Sequence, residues 1–146
     1  MHQVCAAKAA GCSLSVEGCR YLGLSGTTTI DGVDDEVEFG AVHRAMGTVG
    51  VAEEEANQLW LYIQATLLLG NVDFGRGEGA KVSNLEVLSQ AQALLGITEL
   101  QANLESRSLT VRGVTTTIPL TPASAALARD AMAKIMYRAP PLTPSP

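Results

Sequence analysis

Aromatic side chains are scarce: two phenylalanines, three tyrosines and one tryptophan, 4% of 146 residues. That scarcity excludes a core built on large rings. Of the 47% apolar residues many are alanine, so the sequence implies a helix-rich core with few bulky anchors, in a chain long enough for one ordinary domain. Clustered basic charge is lacking as well. The ten lysines and arginines are scattered among fifteen acids, for a net charge of −5, which argues against nucleic acid as a partner. No apolar run approaches the roughly eighteen residues of a membrane span, so no membrane partner is expected. Residues 1–11 hold one lysine but no apolar stretch of signal-peptide length, and the chain reads as cytosolic. The three cysteines, Cys5, Cys12 and Cys19, are odd in number and read as free thiols. A metal site on His2 and Cys5 would lack a second close ligand pair, with only His43 as another imidazole, so none is expected.

What is present is mostly helical pattern. Residues 1–29 are glycine-rich, with a short helix expected near the start and irregular chain after it. A first firm helix opens at Asp34, where Asp35, Glu36 and Glu38 complement the positive helix terminus. Its apolar face is Phe39, Val42 and Met46, and Gly47 and Gly50 close it. A second begins with Glu53, Glu54 and Glu55, and Ala56, Leu59, Trp60, Ile63, Thr66 and Leu67 recur at helical spacing until Gly70-Asn71. Val72-Asp73-Phe74 reads as a short strand. Ser83 and Glu86 have capping-box spacing for a third helix with Leu85, Leu88, Ala91, Leu94 and Leu95 buried, stopped by Gly96. Thr98 and Gln101 repeat that spacing for a short fourth helix ending near Leu104.

The period then changes. Ser108-Leu109-Thr110-Val111 and Thr115-Thr116-Thr117-Ile118 are rich in β-branched residues around Arg112-Gly113, which is a β-hairpin signal. Thr121 caps a last helix with Pro122 in its first turn, its buried side expected on Leu127, Ala128, Ala131, Met132, Ile135 and Met136. From Arg138 the chain becomes too proline-rich to stay helical. The expectation is therefore a mainly α unit with one short hairpin over residues 1–137, and a disordered tail at 138–146.

Chemistry is hard to find in this pattern. Gly75-Arg76-Gly77-Glu78-Gly79-Ala80-Lys81 invites a phosphate-loop reading, but that loop needs four residues between its glycines and Ser or Thr after the lysine. Val82 stands there instead, and Glu78 would repel phosphate, so a surface loop is the plainer reading. The acids Asp31, Asp34, Asp35, Glu36 and Glu38 do not have calcium-loop spacing. His43 has no nucleophile motif beside it, Trp60 reads as a core anchor, and Arg129-Asp130 as a surface charge pair or a packing contact. No catalytic constellation emerges.

Several segments, in order, resemble the myosin motor domain. They are Ile30-Asp31-Gly32-Val33-Asp34-Asp35 with Glu38-Phe39 and Ala45-Met46, then Gly50 and Glu53-Glu54-Glu55. The resemblance is strongest at Ala65-Thr66-Leu67-Leu68-Leu69-Gly70-Asn71-Val72-Asp73-Phe74, with Leu68 where myosins usually carry histidine. It continues through Ala93-Leu94-Leu95-Gly96, Pro119-Leu120 and Arg129-Asp130-Ala131-Met132-Ala133-Lys134-Ile135-Met136-Tyr137. The start, His2-Gln3-Val4-Cys5-Ala6, is also similar.

The resemblance implies a piece of the motor's upper actin-binding cleft, between the two nucleotide switches, within the P-loop NTPase myosin fold. In that family the hairpin is the cardiomyopathy loop, an actin-contacting element. Here it falls on residues 107–118, with Arg107, Leu109, Thr110, Val111, Arg112, Gly113, Val114 and Thr115 as candidate contacts and the two arginines facing acidic actin. The implied partners are the actin filament and the remainder of a motor domain, in a cytoplasmic, cytoskeleton-associated setting. ATP and Mg belong to the intact family motor, an actin-activated ATPase. This sequence has no P-loop, no Asn-x-x-Ser-Ser-Arg switch and no Asp-x-x-Gly switch, so no cofactor and no ATP hydrolysis are expected of it alone. A truncated transcript, a gene-model fragment or a degenerate copy would each end as this chain does. The competing reading is a stand-alone helical module that binds actin or another protein without nucleotide. In a motor these helices would pack on segments missing here, so faces such as Leu59, Ile63 and Leu67 are expected to lack partners.

Overall fold

A computed structural model describes residues 14–138. It contains α1 (Arg20–Gly23), α2 (Asp35–Thr48), α3 (Glu53–Gly70), α4 (Leu85–Leu95), α5 (Leu100–Glu105), β1 (Ser106–Val111), β2 (Val114–Pro119) and α6 (Pro122–Arg138). The architecture is mainly α with one two-stranded antiparallel hairpin, as the sequence implies. The described start of the chain is irregular apart from the single turn of α1. Cys5, Cys12, any helix before residue 14, and residues 139–146 lie outside the described part, and Arg138 still belongs to α6.

Helix α3 is the centre. Its C-terminal half, Gln64 to Gly70, is buried all round because α4 and α6 pack against it and α1 lies over its end. Leu69, Leu88 and Leu100 are fully buried, each contributing about 1.5–3 kcal/mol, and Val72, Leu104, Ala133 and Met136 close the cluster. The core has no buried ring among these residues; small and aliphatic side chains do the packing.

Two helix starts agree with the local reading. Asp34 Oδ1 accepts the Glu36 and Val37 N–H groups at 2.9 and 3.2 Å, and Thr121 Oγ1 accepts Ser124 N–H at 3.2 Å. Two do not. Neither Ser83 nor Thr98 caps a helix. Asn84 precedes α4, and its carboxamide instead accepts Asp73 N–H and donates to the Asn71 carbonyl, both at 2.8 Å. Glu99 precedes α5, and Gln101 reaches forward to Glu105 at 3.0 Å. Val72-Asp73-Phe74 is no strand: Asp73 N–H goes to the Asn84 side chain and the Val72 carbonyl to that of Arg129, the Asp73 carbonyl accepts Ser83 N–H, and only Phe74 forms an isolated bridge, to Val82.

The largest correction concerns α6. Its buried stripe is Ala125, Arg129, Ala133 and Met136, while Leu127 and Ile135 are 70% and 69% exposed. The arginine fixes the rotation. Its Nη1 donates to the Val72 carbonyl at 2.7 Å, and the small Ala125 and Ala133 let the helix come close. Leu85 likewise faces outward, and Leu94 and Leu95 are only partly buried. Helix α2 buries none of its residues fully: of the expected apolar face, Phe39 and Met46 are half-buried and Val42 is exposed.

Candidate functional site

The ribbon β1–β2 is held at its root and free beyond it. Leu120 N–H donates to the Glu105 carbonyl at 2.9 Å, and Ala80 N–H donates to the Leu120 carbonyl, pinning both ends of the ribbon to the body. The Glu105 carboxylate is the hub of this root. It accepts from Lys81 Nζ at 2.8 Å, Val82 N–H at 3.0 Å and Gln101 at 3.0 Å. Burial alone would raise the Glu105 carboxyl, but these donors outweigh it and hold the group below the usual carboxylate range. Lys81 is therefore a strut. The glycine loop before it is closed by Gly75 N–H to the Lys81 carbonyl at 2.8 Å. With its lysine on Glu105 and Glu78 in its arc, this loop does not fit a phosphate, and no nucleotide step is derived through it.

Beyond the root the register runs Arg107 opposite Ile118, Leu109 opposite Thr116, Thr110 opposite Thr115 and Val111 opposite Val114. Arg112 and Gly113 make the two-residue turn with φ of 51° and 80°, both left-handed, as a type I′ hairpin requires. Alternation then sorts the side chains. Arg107, Leu109, Val111, Val114, Thr116 and Ile118 share one side. Ser106, Ser108, Thr110, Thr115 and Thr117 share the other, where the Thr110 and Thr115 hydroxyls meet at 2.9 Å. The first side is exposed: Leu109 is 50%, Val111 55% and Val114 67% accessible. All eight sequence-predicted contact residues, Arg107, Leu109, Thr110, Val111, Arg112, Gly113, Val114 and Thr115, lie on this exposed ribbon. Among the described residues, Arg107 and Arg112 form no ion pair, and the ribbon carries two arginines and no acid in a chain of net charge −5.

A second concave region lies between α1, α3 and α6. It is an apolar cleft of about 630 Å³ whose walls include Tyr21, Leu24, Ile63, Leu67 and Tyr137. Leu67 is buried, against expectation, while Ile63 and Leu59 are half-buried. Tyr21 and Asp130, on the wall of this cleft, already serve each other. Tyr21 donates to Asp130 Oδ1 at 2.7 Å, and the same oxygen takes Arg129 Nε at 2.9 Å and Nη2 at 2.7 Å. Burial would raise the Asp130 carboxyl, yet the Tyr21 and Arg129 bonds and the Arg129 and Arg20 charges hold it low. Burial first, then the bond to Asp130 and its charge, push the Tyr21 hydroxyl up to about 12. Sequence reasoning noticed Arg129-Asp130 but missed Tyr21, because no local pattern links residues so far apart.

The family described as Myosin head (motor domain) matches residues 7–139. Among curated proteins, Myosin-7 of Arabidopsis thaliana is 36% identical over 127 residues, which is 81% of this chain and 7% of that protein. Myosin IC heavy chain of Dictyostelium discoideum is 35% identical over 130 residues, 83% of this chain and 11% of its own length. Unconventional myosin IC of Drosophila melanogaster is 37% identical over 118 residues, 79% of this chain and 11% of its own length. The chain thus spans about a tenth of the length of these relatives.

Proposed function

Because this chain belongs to the myosin motor-domain family, we propose that it builds the helical, filament-facing wall of an actin-based, ATP-driven motor and touches actin through the ribbon 107–118. The remainder of the motor domain supplies the handling of ATP and Mg. One observation carries this reading. The ribbon projects two arginines and an uncovered apolar side from an otherwise acidic chain, and its root is braced by Glu105, Lys81 and Leu120. Positive charge steers the ribbon toward an acidic filament surface, and Leu109, Val111 and Val114 supply the area that loses water on contact.

Co-sedimentation with actin filaments across a salt series tests the reading, in the full chain and in a motor domain that contains it. Two exposed charges at roughly 0.7 kcal/mol each make the Arg107→Ala, Arg112→Ala pair weaker by roughly tenfold at low salt. The salt dependence should flatten in parallel. Equal affinity of both proteins at every salt concentration would remove the arginines from the contact. The chain alone should show no ATP turnover; turnover abolished by Lys81→Ala would move the chemistry to the glycine loop.

The self-contained root favours one further reading, a module that binds filaments without nucleotide. Sedimentation of the full chain as tight as that of the motor domain, and indifferent to ATP, would select it.

A further inference from the structure

The direction of the ribbon is decided at its root. Every residue from Arg107 to Thr117 is exposed, so the body holds the ribbon where Glu105 hands the chain to Ser106 and where Leu120 takes it back. Two backbone bonds close that point, Leu120 N–H to the Glu105 carbonyl at 2.9 Å and Ala80 N–H to the Leu120 carbonyl at 2.6 Å. Backbone bonds at one end leave a ribbon free to pivot about them.

The Glu105 side chain adds a further anchor, and it reaches back into the body. Oε2 takes Lys81 Nζ, and Oε1 takes Val82 N–H and the Gln101 carboxamide. Its two outside partners stand on firm ground: the Lys81 carbonyl is bonded by Gly75 N–H, Val82 bridges to Phe74, and Val82 is buried in the core cluster. By the rules of its own helix the acid is misplaced. Glu105 is the last residue of α5, at the negative end of the helix, where a cation would be favoured. Donors from beyond the helix account for it instead. The side chain is 11% exposed, against 80% for Lys81, so the carboxylate sits inside the joint and not on the contact surface.

We propose that Glu105 is a positioning residue of the filament contact: by joining the ribbon's root to Lys81 and Val82 it fixes the angle at which the ribbon leaves the body, and so sets filament affinity without touching the filament. This rests on the ribbon's being the contact surface. A ribbon already held at its binding angle need not be ordered on contact, and that ordering is what a loosened root adds to the cost of binding.

Hydrogen exchange of the full chain reads the root itself. Glu105→Ala should speed exchange of the Leu120 and Ala80 amides roughly tenfold while the α4 amides keep their protection. Unchanged root amides overturn the proposal. In a motor domain that contains the chain, the same variant should sediment with actin about fivefold more weakly. Its salt dependence should run parallel to the parent's, because Arg107 and Arg112 remain. Charge alone predicts the opposite sign, since the variant removes an acid from a surface that meets an acidic filament. Equal or tighter binding therefore overturns the proposal.

A covalent clamp separates positioning from direct contact. A Cβ on Gly79 would stand 3.8 Å from Pro119 Cβ, within disulfide range. Gly79→Cys with Pro119→Cys, closed by glutathione disulfide, ties the root without Glu105. The closed clamp should restore filament affinity to Glu105→Ala, and dithiothreitol should abolish the gain. A closed clamp that restores nothing overturns the positioning role. Should Glu105→Ala lose α4 protection as well, Glu105→Gln is read in the same way. It keeps an acceptor for Val82 but no charge for Lys81, and roughly twofold weakening is expected. Arg107→Ala with Arg112→Ala tells the two readings apart. Binding weakened by the arginine pair but indifferent to Glu105 removes the positioning role alone, whereas binding indifferent to both removes the ribbon as the contact surface and the positioning role with it.

Discussion

Tyr21 donates its hydroxyl to Asp130 at 2.7 Å, joining residues 109 positions apart and tying the first described helix to the last. Loss of that hydroxyl in Tyr21→Phe leaves Asp130 with Arg129 alone. We expect a loss of about 1–2 kcal/mol in urea unfolding, with the ring packing retained in near-ultraviolet circular dichroism.

The same pair sets a pH profile. The Tyr21 hydroxyl is raised from 10.0 to about 12, so its contribution is fully present below about pH 10 and fades as pH climbs toward 12. The Asp130 and Glu105 carboxyls are held low, so their contributions are present above about pH 4 and fade as pH falls below it. Chemical denaturation from acid to alkali should give a stability plateau with two falling limbs. Tyr21→Phe should flatten the alkaline limb and also shrink the Asp130 part of the acid limb, because the Tyr21 bond helps hold that carboxyl low.

Behind the Tyr21 ring lies Gly70, where a Cβ would sit 2.5 Å from two ring carbons. The ring cannot slide away without giving up Asp130. Gly70→Ala should therefore cost about 1–3 kcal/mol through overpacking. Combining it with Tyr21→Ala should cost clearly less than the sum of the two single changes, as a double-mutant cycle in urea will read.

Arg129 is 4% exposed and bonds the Val72 carbonyl across the core. Arg129→Met strands that carbonyl and deprives Asp130 of its cation, at about 3–5 kcal/mol. Arg129→Lys should recover little, because an ammonium cannot reach the carbonyl and the carboxylate at once. Thermal melts of the three proteins decide the order.

How far the sequence alone could reach depends on the range of the interaction concerned. The start of α2 at Asp34, the start of α6 at Thr121 and the hairpin around Arg112-Gly113 are local events, and spacing and turn chemistry located them. The unused caps at Ser83 and Thr98, the missing strand at Val72 and the rotated face of α6 are decided by competing partners: Asn84 on Asp73, Gln101 on Glu105, Arg129 on Val72. Arg129 and Val72 lie 57 positions apart and Asn84 and Asp73 eleven, beyond a local window; Gln101 and Glu105 are only four apart, and there a local alternative partner competes with the cap. For the ribbon, the eight candidate residues were legible as a hairpin, but the way its two sides divide needed the register.

The turn offers a sharper experiment than truncation. Arg112 holds φ of 51°, a conformation that asparagine tolerates better. Arg112→Asn should slow amide exchange in β1 and β2 while weakening filament sedimentation, separating a stiffer ribbon from a lost charge. Faster exchange in the variant would show that the arginine itself shapes the turn.

A strand with alternating sides counts in twos. One residue inserted into either arm of the ribbon would swing every side chain beyond it through a half-turn, presenting hydroxyls where arginine and leucine now look outward. Two inserted residues would merely lengthen the arm. The spacing between Glu105 and Arg112 is thus governed by odd and even, so substitutions there are forgiven more readily than a single added or deleted residue.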